Sequence, residues 1–446
     1  MTPTIYCGSF EAERYWREPN LVVLPSLSDR QAMAVTEAMD ELLFVFCNAG
    51  DILLTRNVMD SAQLDYVRSI GFDISTNRQP WIANVELTPE HQKFNVFELF
   101  NMCPSKEQLL QSFPEGSKME AFAMLPGVEE VIQRHKLASR VPVQRIVQKI
   151  NAKSYSLAMR DKLNIRNVGV IVEGISHLIE EGSRMLRAGS ILLKDEFGVS
   201  GKGNLSVDSD KSLLRIAKYL ETQVADGKTV RFILEPLLHR KTDFSCQFRI
   251  SEDGNVTMVS IQQLQNNGYA FGTSFTIGAA NLDRLHHIGY MNQMQQIGSS
   301  LFEEGYFGDV CVDSMFLQDG TVEPLVEINA RKSMSLIKHG VDCSMVRDKL
   351  HSCLTQFNLV VPWEFNYEAV LDNLRKKELL YDQGRWTGVV PLSSGTLLSP
   401  KHESTPSRGT KGRLYVAVIY ENEAHMDKLI TGLKMALSEA GLVIIA

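Results

Sequence analysis

Two long stretches of this chain alternate apolar and polar residues around a single Asp-Gly dipeptide: DFSCQFRIS-EDG-NVTMVSIQQLQ, beginning at Asp243, and GDVCVDSMFLQDGTVEPLVEINAR, beginning at Gly308. Asp-Gly offers the left-handed conformation that a tight hairpin turn requires, and alternation sends the apolar set to one face, so each stretch is predicted to be an antiparallel hairpin. A helix is predicted between them over 281–305. The first hundred residues have a different character. LVVLP (21–25) and LFVFCNAGDILL (43–54) read as strands, while DRQAMAVTEAMDELL and SAQLDYVRSIGF have helical spacing, which together make an α/β unit. Residues 118–165 read as mostly helical, with a break at Val141 and Pro142. A strand VGVIV, a helix over 174–187, a strand ending at Lys194, a helix over 211–225 and a strand in TVRFILEPLL follow. The chain closes on a strand RLYVAVIY, a helix over 424–440 and LVIIA, a small β-α-β unit.

A chain of 446 residues suits two to four domains. The expected division is 1–117, an N-terminal α/β domain; 118–165, a helical connector; 166–238 and 239–365, a small and a large subdomain; and 366–446, a C-terminal domain. Within the last, the Ser-, Thr-, Pro-, Gly- and Lys-rich stretch 391–412 is expected to be a mobile loop.

KDEFGVSGKGNL, Lys194 to Leu205, places glycines directly after a buried strand. Glycine backbone can turn N–H groups toward an anion, and lysine adds charge, so the segment reads either as a phosphate cradle or as a surface connector. It is neither a P-loop nor a dinucleotide fingerprint, because the spacing is G-x-x-G-x-G and Lys202 precedes Gly203 rather than a hydroxyl residue. In VEINAR, Glu327 and Asn329 leave the same face of a strand. Asp313 on the preceding strand can join them. Because Asp313 and Glu327 are equidistant from Gly320, they meet on one face only if the hairpin loop is odd-membered or the strand is bulged. Two carboxylates and an amide oxygen make a hard-oxygen site of the kind that holds Mg²⁺ with phosphate; the alternative is a polar strand end facing solvent.

Composition excludes other classes. With 46 basic against 53 acidic residues the net charge is −7, which argues against non-specific binding of nucleic acid or an anionic membrane. No apolar run is long enough to span a bilayer, and Glu11, Glu13 and Glu18 stand where a signal peptide would be apolar, so a cytoplasmic location is expected. The seven cysteines include no C-x-x-C, and the His286–His287 pair lacks metal spacing. No nucleophile arrangement is visible.

In order, N-A-K (Lys153), the strand Lys194 with its glycine loop, E-P-L-L (Glu235–Leu238), G-x-x-x-D (Asp313) and E-I-N-A-R (Glu327–Arg331) resemble the ATP-grasp superfamily of carboxylate ligases over about Lys153 to Ser335. The resemblance implies an α/β (α+β) ATP-grasp fold with a pre-ATP-grasp N-terminal domain and a small C-terminal β-α-β domain. It implies that Lys153 and Lys194 contact ATP phosphates and that Ser200, Gly201, Lys202 and Gly203 close over them. Glu235 and the backbone near Leu237 would hold the adenine edge, and Asp243 the ribose. Asp313, Glu327 and Asn329 would carry Mg²⁺, with Mn²⁺ as the other hard cation, and Arg331 would act with Lys194 on the reacting group. Cys311 stands where some relatives have an arginine, leaving that role to Arg249 or Arg331. The flanking regions resemble ligases of specialised, antibiotic-type metabolism, a group that includes pheganomycin-type peptide ligases and the butirosin-type enzyme joining glutamate to an acyl-carrier protein. That implies an amino-acid substrate, glutamate first, activated with release of ADP and phosphate. The acceptor would be a carrier-protein thiol or an amine, and IQQLQNNGYAFGTSF would lie near it or be an ordinary hairpin end. Carrier docking would fall to Arg240 and Lys241, or to Lys401, Arg408, Lys411 and Arg413. A non-catalytic nucleotide-binding module is the remaining alternative.

Overall fold

The computed structural model describes residues 2–25, 29–78, 94–102, 113–198, 203–268, 270–399 and 409–445. Among them the strands form three sheets. The first is parallel, in the order β3-β2-β1-β4, from β1 (Thr4–Cys7), β2 (Ile52–Leu54), β3 (Ser75–Thr76) and β4 (Lys118–Ala121). It therefore runs past the boundary expected at residue 117. The strand expected over 43–54 shrinks to β2: Ala38–Phe46 instead continues the helix Arg30–Glu37 as a 3₁₀ helix, burying Leu42, Leu43, Phe44 and Val45. A short apolar run suits a buried helix as well as a strand, and packing decided here. Leu21–Pro25 is not a strand of this unit either. Leu21 bridges Thr229, and Val22 and Leu24 pack into the core of the second sheet.

That second sheet is antiparallel, in the order β5-β8-β6-β7, from β5 (Val170–Glu173), β6 (Ile191–Asp195), β7 (Asn204–Val207) and β8 (Arg231–Pro236). Helices Ile175–Leu186 and Asp210–Ala225 cover one face through Leu178, Leu213 and Leu220.

The third sheet contains both predicted hairpins. Its order is β13-β12-β9-β10-β11-β14-β16-β15, with β17 on β14; the strands are β9 (Arg240–Ile250), β10 (Val256–Asn267), β11 (Ala270–Thr276), β12 (Gly308–Leu317), β13 (Val322–Asn329), β14 (His351–Val361), β15 (Gly388–Pro391), β16 (Thr410–Tyr420) and β17 (Val443–Ile444). The segment 261–275 is a hairpin, β10–β11. The C-terminal β-α-β unit, β16, helix Glu423–Glu439 and β17, is present, and it joins this sheet across β14 instead of standing apart. The helix expected over 281–305 is two, Ala279–His287 and Tyr290–Glu303, because Gly289 adopts φ +74° between them. No helix among the described residues is long and apolar enough to cross a membrane.

Phe244 on β9 is fully buried, 5.4 Å from the Tyr290 ring and 4.6 Å from that of Phe316 on β12. This contact clamps helix Tyr290–Glu303 onto the strands that carry the polar face described next. Phe244→Ala should lower the unfolding free energy by about 3–5 kcal/mol in urea titrations. A loss below about 1 kcal/mol would mean that this packing does not hold the sheet.

Candidate functional site

Cys311 pairs with Asn329 and Asp313 with Glu327 along the β12–β13 ladder, after which the register shifts so that Met315 faces Glu323. Of the two alternatives the spacing left, an odd-membered loop or a bulge, the register shift shows a bulge. It falls where Pro324, which has no N–H to give a ladder, lies opposite Ser314, whose Oγ donates to the Pro324 carbonyl at 2.8 Å. The two carboxylates consequently leave the same face side by side.

Two helices hold β13 in place. The Ile328 N–H donates to Ser156 Oγ (3.0 Å) and the Ala330 N–H to Asn151 Oδ1 (2.9 Å). This attachment brings Lys153, the first residue of helix Lys153–Lys162, to the strand: its Nζ donates to Glu327 Oε1 at 2.8 Å and to the Gly198 carbonyl at 3.2 Å. Asn329 Nδ2 donates to Asp313 Oδ2 (3.0 Å), and its Oδ1 accepts from Arg331 Nη2 (3.0 Å). Arg331 also donates through Nε and Nη2 to Glu13 Oε1, at 2.8 and 2.5 Å. On the second sheet, Lys194 Nζ is 2.5 Å from Glu235 Oε2. A Cβ at Gly169 would lie 2.8 Å from Glu235 Cγ, so glycine is needed there for the carboxylate to take this place.

Burial pushes the Asp313 carboxyl up to about 7, and the charge of Glu327 opposite pushes the same way. Burial alone would depress the Lys153 ammonium, but Glu327 outweighs it and holds the group above its ordinary value. Cys311 is a neutral thiol, raised by burial to about 12. Among the described residues no three His, Cys, Asp or Glu side chains gather as a metal cluster. The site is two carboxylates and an amide, all oxygen donors, with one carboxylate in a position that disfavours its charge. Such a set fits a hard divalent cation, whose charge would relieve the repulsion between the two acids.

Lys153, Asp313, Glu327, Asn329 and Arg331 thus form one connected group, and Lys194 and Glu235 form a pair. Several expectations fare differently. The Leu237 N–H already donates to the Ser190 carbonyl (2.8 Å), so it is not open to an adenine edge. Asp243 Oδ2 is held by Arg240 Nη1 (2.9 Å) and Asn266 Nδ2 (2.8 Å). Gly203, at φ +95°, accepts from the Asp195 N–H at its carbonyl (2.7 Å). Ser200, Gly201 and Lys202 lie outside the described residues, as do Lys401 and Arg408. Lys411 pairs with Asp29 (2.9 Å), and Arg413 donates to Asn358 and Tyr415. Arg249 belongs to another network, with Glu120 (2.8 Å) and Asp309 (3.3 Å), leaving Arg331 as the arginine tied to the carboxylate group. Sequence reasoning named Glu13 only as a charge in the N-terminal stretch and gave no site role to Glu13, Glu120 or Asp195. A lone acid in an N-terminal helix carries no signal of the arginine it will meet more than three hundred residues later.

The raised Asp313 pKa means that the folded protein keeps a proton the unfolded chain releases, so this group's contribution to stability falls as pH rises from about 4 through 7. Asp313→Asn should therefore melt higher than the parent at pH 8 without ligand, with the difference vanishing near pH 4. Equal melting temperatures at pH 8 would contradict the buried, repelled state of this carboxyl.

No protein-family model matches the chain. Over 314 residues it is 26% identical to the butirosin acyl-carrier protein–L-glutamate ligase of Niallia circulans, covering 69% of this chain and 67% of that protein. Its structure superposes on the biotin carboxylase–β,γ-ATP complex of Campylobacter jejuni, with a TM-score of 0.53 at 13% identity over 92% of this chain and 89% of that one. The N5-carboxyaminoimidazole synthetase of Staphylococcus aureus complexed with ADP gives a TM-score of 0.51 at 10% identity over 99% of both chains. The L-amino acid ligase of Bacillus licheniformis gives 0.50 at 12%, over 100% and 99%. The chain has the ATP-grasp fold, and its sequence resembles a carrier-protein–glutamate ligase.

Proposed function

We propose that this protein is an ATP-dependent carboxylate ligase of antibiotic-type metabolism, forming ADP and phosphate. It activates an amino-acid carboxylate, glutamate first, as an acyl phosphate and passes it to the pantetheine thiol of an acyl-carrier protein. The observation that carries the reading is the connected group Lys153–Glu327–Asp313–Asn329–Arg331. The sequence likeness to a carrier-protein–glutamate ligase supports the choice of substrate and acceptor.

A carboxylate is a poor electrophile, so it must first become a mixed anhydride; positioning and charge stabilisation suffice for that step, and no nucleophilic side chain is needed. Asp313, Glu327 and Asn329 would hold Mg²⁺, with Asn329 giving up its contacts to Arg331 and Asp313 so that Oδ1 turns to the carboxylates. When bound, Mg²⁺ neutralises phosphate charge and fixes the phosphoryl group for in-line attack. Lys153, released from Glu327 as the cation arrives, would turn its ammonium to phosphate oxygens. Lys194 would do the same from β6, and Glu235 would meet the nucleotide from β8. Arg331 would stabilise charge on the reacting acyl phosphate.

Incubating the protein with ATP, Mg²⁺ and a panel of amino acids, with holo carrier protein or free amines as acceptors, and weighing the products tests this. Glutamyl carrier protein and ADP are expected. AMP and pyrophosphate would refute acyl phosphate chemistry, and acylation of amines with the carrier untouched would make the protein an amide ligase. Glu327→Gln should keep the fold and lower turnover by about 100-fold or more; near-normal activity would remove the site assignment.

A further inference from the structure

Glu13 and Arg17 lie four residues apart, on the short helix Ala12–Trp16 and at its C-terminal cap, and each grips a different part of the ATP-grasp unit. Glu13, with only 4% of its side chain exposed, holds Arg331 beside the carboxylate pair. Arg17 pairs with Asp195, which directly follows Lys194, and donates to the Val22 carbonyl at 2.5 Å. Asp195 in turn closes the base of the glycine segment: its N–H donates to the Gly203 carbonyl, and its Oδ1 accepts from the Phe197 N–H at 3.1 Å. Between the two ion pairs Trp16 is fully buried, with its Nε1 donating to the Met124 carbonyl (2.9 Å) and its carbonyl accepting from Gln148 Nε2 (2.5 Å). Beyond Arg17 the chain runs directly onto the small sheet. The Val22 N–H donates to the Thr229 carbonyl (3.0 Å), the Thr229 N–H to the Asn20 carbonyl (2.8 Å), and Val22 and Leu24 sit in that sheet's core.

We propose that Glu13 and Arg17 are positioning residues acting as one unit: the helix that carries Glu13 and ends at Arg17 links the small sheet bearing Lys194 to Arg331, just past β13 of the large sheet, and so sets the relative placement of two groups held by different sheets. The proposal rests on the assignment of Lys194 and Arg331 made above. Both acids are buried and both arginines mostly so, which makes each pair an attachment that solvent screens little. An element anchored at both ends transmits position; once either anchor is cut, cutting the other costs little more.

The test compares wild type, Arg17→Gln, Glu13→Gln and the double variant, by calorimetry of ATP binding and by amino-acid-dependent ADP release. Arg17→Gln and Glu13→Gln should each weaken ATP binding and lower kcat, the Arg17 variant losing about tenfold mainly in ATP affinity and the Glu13 variant about tenfold mainly in kcat. The double variant's loss in kcat/KM should be smaller than the product of the single losses by about fivefold or more. Arg17→Lys should recover most of the affinity. Arg17→Gln/Asp195→Asn removes both charges of one pair, and it should show the same weakened ATP binding without an orphaned carboxylate. Full multiplication of the single losses, or an unchanged ATP Kd in Arg17→Gln and in the Arg17→Gln/Asp195→Asn pair, would overturn the linkage. A wild type with no amino-acid-dependent ADP release would remove the ligase reading, while the ATP affinities would still decide the linkage.

Discussion

Two carboxylates directly opposite each other on neighbouring strands are unfavourable by themselves, and much of the surrounding structure answers that repulsion. Asp313 and Glu327 are brought together by the ladder register and the bulge at Pro324. Burial is the main reason Asp313 is pushed up, and the charge of Glu327 adds to it, while Lys153 is held charged against Glu327. The lysine is delivered by a helix pinned to β13 through Ser156, with Asn151 at the end of the preceding helix holding the Ala330 N–H just beyond the strand. A cation bound here would replace one protein charge and release another, so the same arrangement that costs stability in the free protein would suit the metal and phosphate of the proposed function.

The N-terminal unit is more than a neighbour. Its acids neutralise the cations at one edge of this face: Glu13 meets Arg331, and Glu120 meets Lys332 (3.1 Å) and Arg249. Asp309 completes the second network with Lys332 at 2.5 Å. Removing one member of a buried pair strands the other charge, which makes Glu13–Arg331 and Asp309–Lys332 costlier to break than the more exposed Glu120 pairs, which solvent screens. These contacts therefore fix how the parallel sheet sits against the large one, and they leave the arginine nearest the carboxylates under the control of a residue from the first helix.

Local pattern was legible where one short-range rule decides the outcome. Asp-Gly turns gave both long hairpins, and the glycines Gly254 and Gly320 take the positive φ that such turns require. It failed where an apolar run had two equally good uses. Phe44 and Val45 are buried in a 3₁₀ helix rather than a strand, and Val22 and Leu24 serve the core of a sheet whose own strands begin near residue 170. The division at residue 117 missed β4 because a four-residue strand in a parallel sheet has no turn partner nearby to mark it.

The chain's linear order by itself determined the donor chemistry: the spacing of Glu327 and Asn329 sets one strand face, and the equal distance of Asp313 and Glu327 from Gly320 required either an odd-membered loop or a bulge. Those are short-range matters, set by strand periodicity and turn geometry. Only the tertiary structure decided which charges meet across long separations. It placed Glu13 on Arg331, Arg17 on Asp195 and Lys153 on Glu327, engaged the Leu237 N–H with Ser190, and put Arg249 in a separate network. Ion pairs and hydrogen bonds between distant segments depend on how sheets and helices pack, and no local pattern in either partner records the other.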